Sequence, residues 1–308
     1  MRITVSDEFD GKTVGSVLRD HGASGTLIKL LKSRPHGITV AGADATVRAV
    51  VRTGDVILAD DADTYEDENE YVFPSEDKID ILYEDEDVFV LNKPFGMPTH
   101  TSHGHYADTL ANALCAEYRR RRLPFVFRPV NRLDADTSGA VLIAKSKLSA
   151  CVLARHMESG MIKKTYIAVL DGEMRTPIGV PQTIKSYIRR SSDTIILRES
   201  IPIPDDPALI PDGDYAETRY TCLYKGNGHS IVSATPVTGR THQLRVHFSS
   251  AGYPISGDDM YGGSRELISR QALHAYKIEF PAGGSSVRVT APLPGDIQKL
   301  TEGCIDIK

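Results

Sequence analysis

Between Arg132 and Ser138 the chain reads RLDADTS, which is one guanidinium, two carboxylates and two hydroxyls in seven residues. It then turns apolar as GAVLIA, the pattern of a buried strand. The polar cluster therefore stands at the mouth of a core strand, where an unpaired charge is costly. Asp134 needs either a cationic partner or a task that uses its charge. A carboxylate in such a place can serve as a nucleophile or as a stabiliser of positive charge. Thr137, Ser138 and Gly139 can equally be a turn that feeds the strand. Asp136 and Ser138 admit a third reading, a hydrolase, but no G-x-S-x-G elbow or clear base partner accompanies them.

Further polar residues gather in separate segments. NKPFGMPTH supplies Asn92, Lys93 and Gly96, KKTYIAVLDG supplies Tyr166, and TGRTHQLRVH supplies Arg240, His242 and Arg245. His100, His103 and His105 have loop spacing and no acid partner, so loop residues are expected rather than a metal site. Cys115, Cys151, Cys222 and Cys304 are scattered, with no C-x-x-C pair, so neither structural zinc nor a disulfide framework is expected.

Charge is unevenly distributed. The chain carries a net −5, yet residues 60–87 hold fourteen acids and one lysine, leaving the remainder basic. Residues 117–166 hold eleven Lys or Arg against four acids, with Arg119 to Arg122 in a row. Such a run is either a solvated helix end or a basic face that attracts a polyphosphate.

These side chains need elements to position them. In residues 1–60, apolar spacing gives two short helices, punctuated by Gly22 and with Ser24 as an N-cap, followed by short strands. Residues 61–78 read as a mobile acidic linker that self-repels and extends. From Ile79, DILYEDEDVFVLN gives two strands. A helix capped by Asp108 follows, then the strand GAVLIA, a helix closed by Gly160, the strand TYIAVLDG, and a strand, turn and helix through HSIVSATPVTGRTHQLRVHFSSAG. Residues 173–215, with Pro177, Pro181, Pro202, Pro204, Pro207 and Pro211, read as a long surface excursion. The expected class is α+β with a mixed, largely antiparallel sheet. At 308 residues the chain is expected to form two domains, 1–60 and 79–308. No apolar run is long enough to cross a membrane, and the N-terminus has no apolar signal core, so a cytosolic protein is expected.

The order NKPFGMPTH, NRLDADTSG, KKTYIAVLDG and TGRTHQLRVHFSSAGYPISGDDMYG closely resembles the RluA-type RNA pseudouridine synthases. The motifs of that family are N-K-P-x-G, H-R-L-D-x-x-T-S-G, K-x-Y-x-A and T-G-R-x-H-Q-[IL]-R-x-H, followed by G-D-x-x-Y-G. The likeness runs from about Ile79 to the end, through LHA at Leu273 and APLP at Ala291. Residues 1–60 resemble the αL RNA-binding fold that many members carry, although the helices hold fewer basic residues than usual.

The resemblance implies isomerisation of uridine in ribosomal or transfer RNA, with no cofactor or metal, and a monomer with no obligatory protein partner. It places the catalytic aspartate at Asp134, which would attack the base or ribose carbon 1, or stabilise a glycal-type path. Arg245 would keep Asp134 ionised and aimed, Tyr166 would stack on the freed base, and Arg132 would fill the gap left by a flipped base. Asn92 and Lys93 would shape their loop or touch backbone phosphate, and Arg240 and His242 would orient the motif around Arg245. One departure stands out: the family usually has His where this chain has Asn131. An inactive synthase fold serving as a binding module is the competing reading. It would be favoured by loss of Asp134, Tyr166 or Arg245, and all three are present.

Overall fold

A computed structural model describes the chain except residues 70, 193, 195, 207, 208 and 305–308. The first part is small. Strand β1 (Arg2–Thr4) precedes helices α1 (Val14–Asp20) and α2 (Gly25–Ser33), followed by β2 (Ile38–Val40), β3 (Ala43–Asp44) and β4 (Val56–Ala59). The strands form an antiparallel sheet in the order β1-β4-β2-β3. The predicted helical stripe is its core: Val14, Val17, Leu18, Leu27 and Leu31 pack with Ile57 and are nearly inaccessible. Ser24 caps α2 as expected, its hydroxyl accepting from the Leu27 amide at 3.1 Å.

The larger part holds β5 (Asp80–Glu84), β6 (Val88–Lys93), α3 (Leu110–Arg120), β7 (Ser138–Ala144), α4 (Lys147–Glu158), β8 (Lys163–Asp171), β9 (Pro181–Arg190) and β10 (Arg198–Ile201). It continues with β11 (Asp214–Gly226), β12 (His229–Pro236), α5 (Gln243–Ser250), β13 (Leu273–Ala282), β14 (Ser285–Thr290) and α6 (Gly295–Thr301). Among the described residues these strands make one sheet in the order β10-β9-β11-β12-β8-β13-β7-β6-β5, with β14 added on β13. Every pairing is antiparallel except the short β13–β7 contact. The mixed, largely antiparallel α+β architecture expected from the sequence is the one observed. No helix among the described residues is long and apolar enough to cross a membrane.

The β13–β7 contact explains one glycine. His274 pairs with Ser138 and Ala275 with Gly139. Gly139 has φ +113°, and a Cβ there would collide with the Ala275 backbone. Only glycine meets both demands.

Three expectations fail. Helix α3 is capped by Thr109, not Asp108, whose carboxylate is bonded to His105; adjacent residues of the same capping type make this ambiguous in sequence. The predicted excursion 173–215 contains β9 and β10, which close one edge of the sheet. Its prolines fall where strands tolerate them, Pro181 opening β9 and Pro202 following β10, while Pro207 lies outside the described residues. Nor is the acidic segment free. Asp61 takes the N-terminal ammonium, Asp63 takes Arg128 and Lys147, Asp67 takes Arg34 and Lys147, and Glu68 takes Arg119. Four carboxylates that would repel in an isolated linker are matched to cations, and the segment lies tied across both parts.

Candidate active site

Asp134 sits in the loop before β7, and its neighbours are pinned from outside that loop. Asn131 works as a rung of the sheet: its side-chain oxygen accepts from the Leu142 amide at 2.8 Å and its amide donates to the Ala140 carbonyl at 3.3 Å. The Thr99 hydroxyl both donates to the Leu133 carbonyl and accepts from the Leu133 amide. Lys93, wholly buried, donates to the carbonyls of Pro94, Met97 and Ala135 at 2.8, 2.6 and 2.8 Å. Arg270 forms a bidentate pair with Asp296 and donates to the Asp136 carbonyl at 3.1 Å. Gln271 bonds Thr137, and His274 bonds Ser138. Between these anchors the Asp134 carboxylate stays about one-third exposed.

The opposite wall belongs to α5. Arg245 donates through Nε and Nη2 to both oxygens of Asp258, at 2.7 and 2.8 Å, and through Nη1 to Asp134 at 3.2 Å. Its plane stacks on Tyr261 at 4.8 Å. Asp258 is 1% exposed in its side chain. The two carboxylates thus have different jobs: Asp258 fixes the guanidinium and Asp134 faces the opening.

His242 adopts a left-handed φ of 56° just ahead of α5, a conformation that costs energy at a non-glycine residue. The Tyr261 hydroxyl accepts from the Arg198 amide at 3.0 Å and shares a hydrogen bond with Nδ1 of His242 at 2.8 Å. Nε2 of His242 lies 3.9 Å from the Asp134 carboxylate. Burial, followed by the nearby Arg245 and Arg198 charges against Asp134 and Asp258, holds this imidazole below its ordinary value and so neutral at pH 7.

The rest of the motif secures the helix. Gln243 bonds Thr238, the Arg240 amide, the Glu217 carbonyl and Thr218. His247 bonds Ser186 and Thr218, and burial pushes it down to about 4.

Asp134, Tyr166 and Arg245 line one cleft of about 850 Å³, together with Arg132, Arg240 and His242. Tyr166 is 7% exposed, and its hydroxyl has no protein partner among the described residues. Burial, and then the charge of Asp134, raises its pKa, so it stays protonated. Arg132 is exposed and unpaired among the described residues.

Two expected site residues lie elsewhere. Asn92 is outside the cleft lining and bonds Asp80 across the β5–β6 pair at 3.0 Å. Lys93 cannot touch phosphate, because its three carbonyl acceptors enclose it. Burial lowers it to about 7, while Asp134 and Asp136 pull the other way. Ser138 has a histidine after all, at 2.9 Å, but the pair is buried. His274 Nε2 donates to the Ala291 carbonyl, so Nδ1 accepts the Ser138 proton in a structural clasp. His105 and His103 turn to Asp108 and Tyr106. Sequence reasoning gave no role to Asp258 and Tyr261, although GDDMYG had been singled out. It missed Arg270 and Thr99, which bear no local signal.

The family of RNA pseudouridylate synthases matches residues 87–250, more than half of the chain. An uncharacterized RNA pseudouridine synthase of Bacillus subtilis, YhcT, is 33% identical over 305 residues, covering 97% of this chain and 96% of its own. The ribosomal large subunit pseudouridine synthase D of Borreliella burgdorferi is 36% identical over 223 residues, covering 70% of this chain and 65% of its own. Among solved structures, human RNA pseudouridylate synthase domain containing 1 superposes with a TM-score of 0.57 at 29% identity, covering 70% of this chain and 84% of that one.

Proposed function

The chain belongs to the RNA pseudouridine synthase family, an isomerase family acting on uridine in RNA, and we propose that the cleft between Asp134 and Arg245 is where this isomerisation occurs. The observation that carries the proposal is the division of labour around Arg245. One carboxylate is buried to fix the guanidinium, and the other is left open at 3.2 Å.

The reaction conserves every atom of the substrate. The bond from ribose carbon 1 to nitrogen 1 of uracil breaks, a bond from carbon 1 to carbon 5 forms, carbon 5 loses a proton and nitrogen 1 ends protonated. Asp134 supplies the carboxylate that meets the centre made electron-poor as the first bond breaks. Arg245 keeps it charged and aimed, and the imidazole of His242 lies on the same side. Tyr166 presents a ring to the turning base and a protonated hydroxyl for proton transfer. The cleft needs the uridine out of its stack, and Arg132 at the rim enters the space it leaves, offsetting part of the few kcal/mol that flipping costs.

The substrate is structured RNA. The names of relatives described as ribosomal large subunit pseudouridine synthases favour ribosomal over transfer RNA. The protein acts as a cytosolic monomer, and residues 1–60 add a second, weaker RNA contact. Purified protein incubated with total RNA from cells lacking the gene should raise its pseudouridine content at the expense of uridine. No increase at any salt concentration would reject the reading.

A further inference from the structure

Along β8, alternate residues share a face, and Lys164 and Tyr166 both line the cleft. Tyr166 lies beside Asp134, and Lys164 lies one step farther out, beyond the reach of that carboxylate. Its ammonium is peculiar for this protein. Lys145 and Lys147 are paired with Glu84 and Asp63, and Lys93 is capped by three carbonyls. Among the described residues Lys164 has no hydrogen bond or ion pair. Glu158, which also lines the cleft, forms no ion pair with it. Burial alone lowers its pKa, with no acid to offset the loss of water. Its Nζ faces the turn before α5: a Cβ on Gly239 would lie 4.0 Å away. The Gly239 amide has no acceptor among the described residues. An uncompensated cation beside a backbone amide with no acceptor among the described residues suits a small tetrahedral anion.

We propose that Lys164, with the Gly239 amide, binds the backbone phosphate next to the target uridine, on the side of Tyr166 away from Asp134. This rests on the reading of the cleft as the uridine site. It assigns Lys164 to substrate binding rather than to bond making. Any nucleic acid strand brings such a phosphate whatever its sequence, so the contact positions the strand without selecting it.

The test uses full-length protein and total RNA from cells lacking the gene, following pseudouridine formation against RNA concentration at several salt concentrations. For Lys164→Met, KM should rise about ten-fold while kcat changes much less. The slope of log(kcat/KM) against log[salt] should fall in magnitude by about one, the signature of one lost phosphate contact. Lys164→Arg should restore most of the affinity and the slope. An unchanged slope, or a loss confined to kcat, would overturn the assignment by showing that Lys164 only supports Tyr166. If wild-type protein forms no pseudouridine at all, the underlying reading fails and this one with it. Wild-type activity with a normal salt slope in Lys164→Met sinks only the phosphate site.

Discussion

Two basic regions of this molecule have opposite fates. The run Arg119 to Arg122 is the densest positive stretch in the sequence, yet most of its charge is used internally. Arg119 pairs with Glu68, Arg120 with Glu117, and Arg121 with both Glu84 and Glu117. The hydrogen bonds from Arg121, helped by Lys145, hold Glu84 down at about 2. Around the cleft the cations come from separate segments, and Arg132 and Lys164 have no protein partner among the described residues. A charge run says little about where phosphate goes, because the acids that neutralise it come from distant segments. The acidic tract at residues 60–87 supplies two of them, Glu68 and Glu84.

That contrast can be broken or sharpened by substitution. The largest effect belongs to the open carboxylate. Asp134→Asn should lower pseudouridine formation at least about 10³-fold while leaving stability within about 1 kcal/mol, as a rate assay and urea unfolding would show. Arg245→Met should also abolish turnover. It should cost roughly 3–5 kcal/mol in the same unfolding experiment as well, because Asp258 is left buried without its cation. Arg132→Ala should reduce kcat/KM for RNA about ten- to a hundred-fold without affecting unfolding, if its exposed cation fills the stack vacated by the uridine as proposed.

Acid should act through buried imidazoles. His247 and His274 are held at about 4 by burial, against 6.5 in exposed histidine. The folded form therefore binds fewer protons than the unfolded form between these values. Stability is intact above pH 6.5 and is lost as pH falls to 4, by about 3 kcal/mol at most for each. His247→Gln should flatten that slope in urea melts at pH 7 and 4.5. The smallest effect should come from the obvious arginines. Replacing Arg119, Arg120 and Arg121 together by Gln should leave kcat/KM within about two-fold. A loss as large as that from Arg132→Ala would erase the distinction between the two regions.

What the sequence made legible follows from range. Helical stripes, the strand after Asp134 and the Ser24 cap depend on neighbours a few residues away, and the structure has them. Motif residues on separate strands and α5 could be grouped because they came as recognisable units. Arg270 could not: its partners Asp296, the Asp136 carbonyl and Phe95 lie far off in the chain and meet only once the sheet closes. Lys93 could be read either as shaping its loop or as touching phosphate, and only the carbonyls that the fold brings around it decide for the loop. The acidic segment failed as a linker because repulsion within it was visible and its distant cations were not. Asn131 shows the reverse: a departure from the family pattern proves to be one more rung of the sheet, with both amide groups used.

The central claim is that the open carboxylate at Asp134, aimed by Arg245, isomerises a uridine in cellular RNA. Pseudouridines should be mapped in ribosomal and transfer RNA from cells lacking the gene, and again after return of the wild-type gene or Asp134→Asn. The account predicts that one or a few sites vanish on deletion, return with the wild-type gene and stay absent with Asp134→Asn. Restoration of those sites by Asp134→Asn would contradict it.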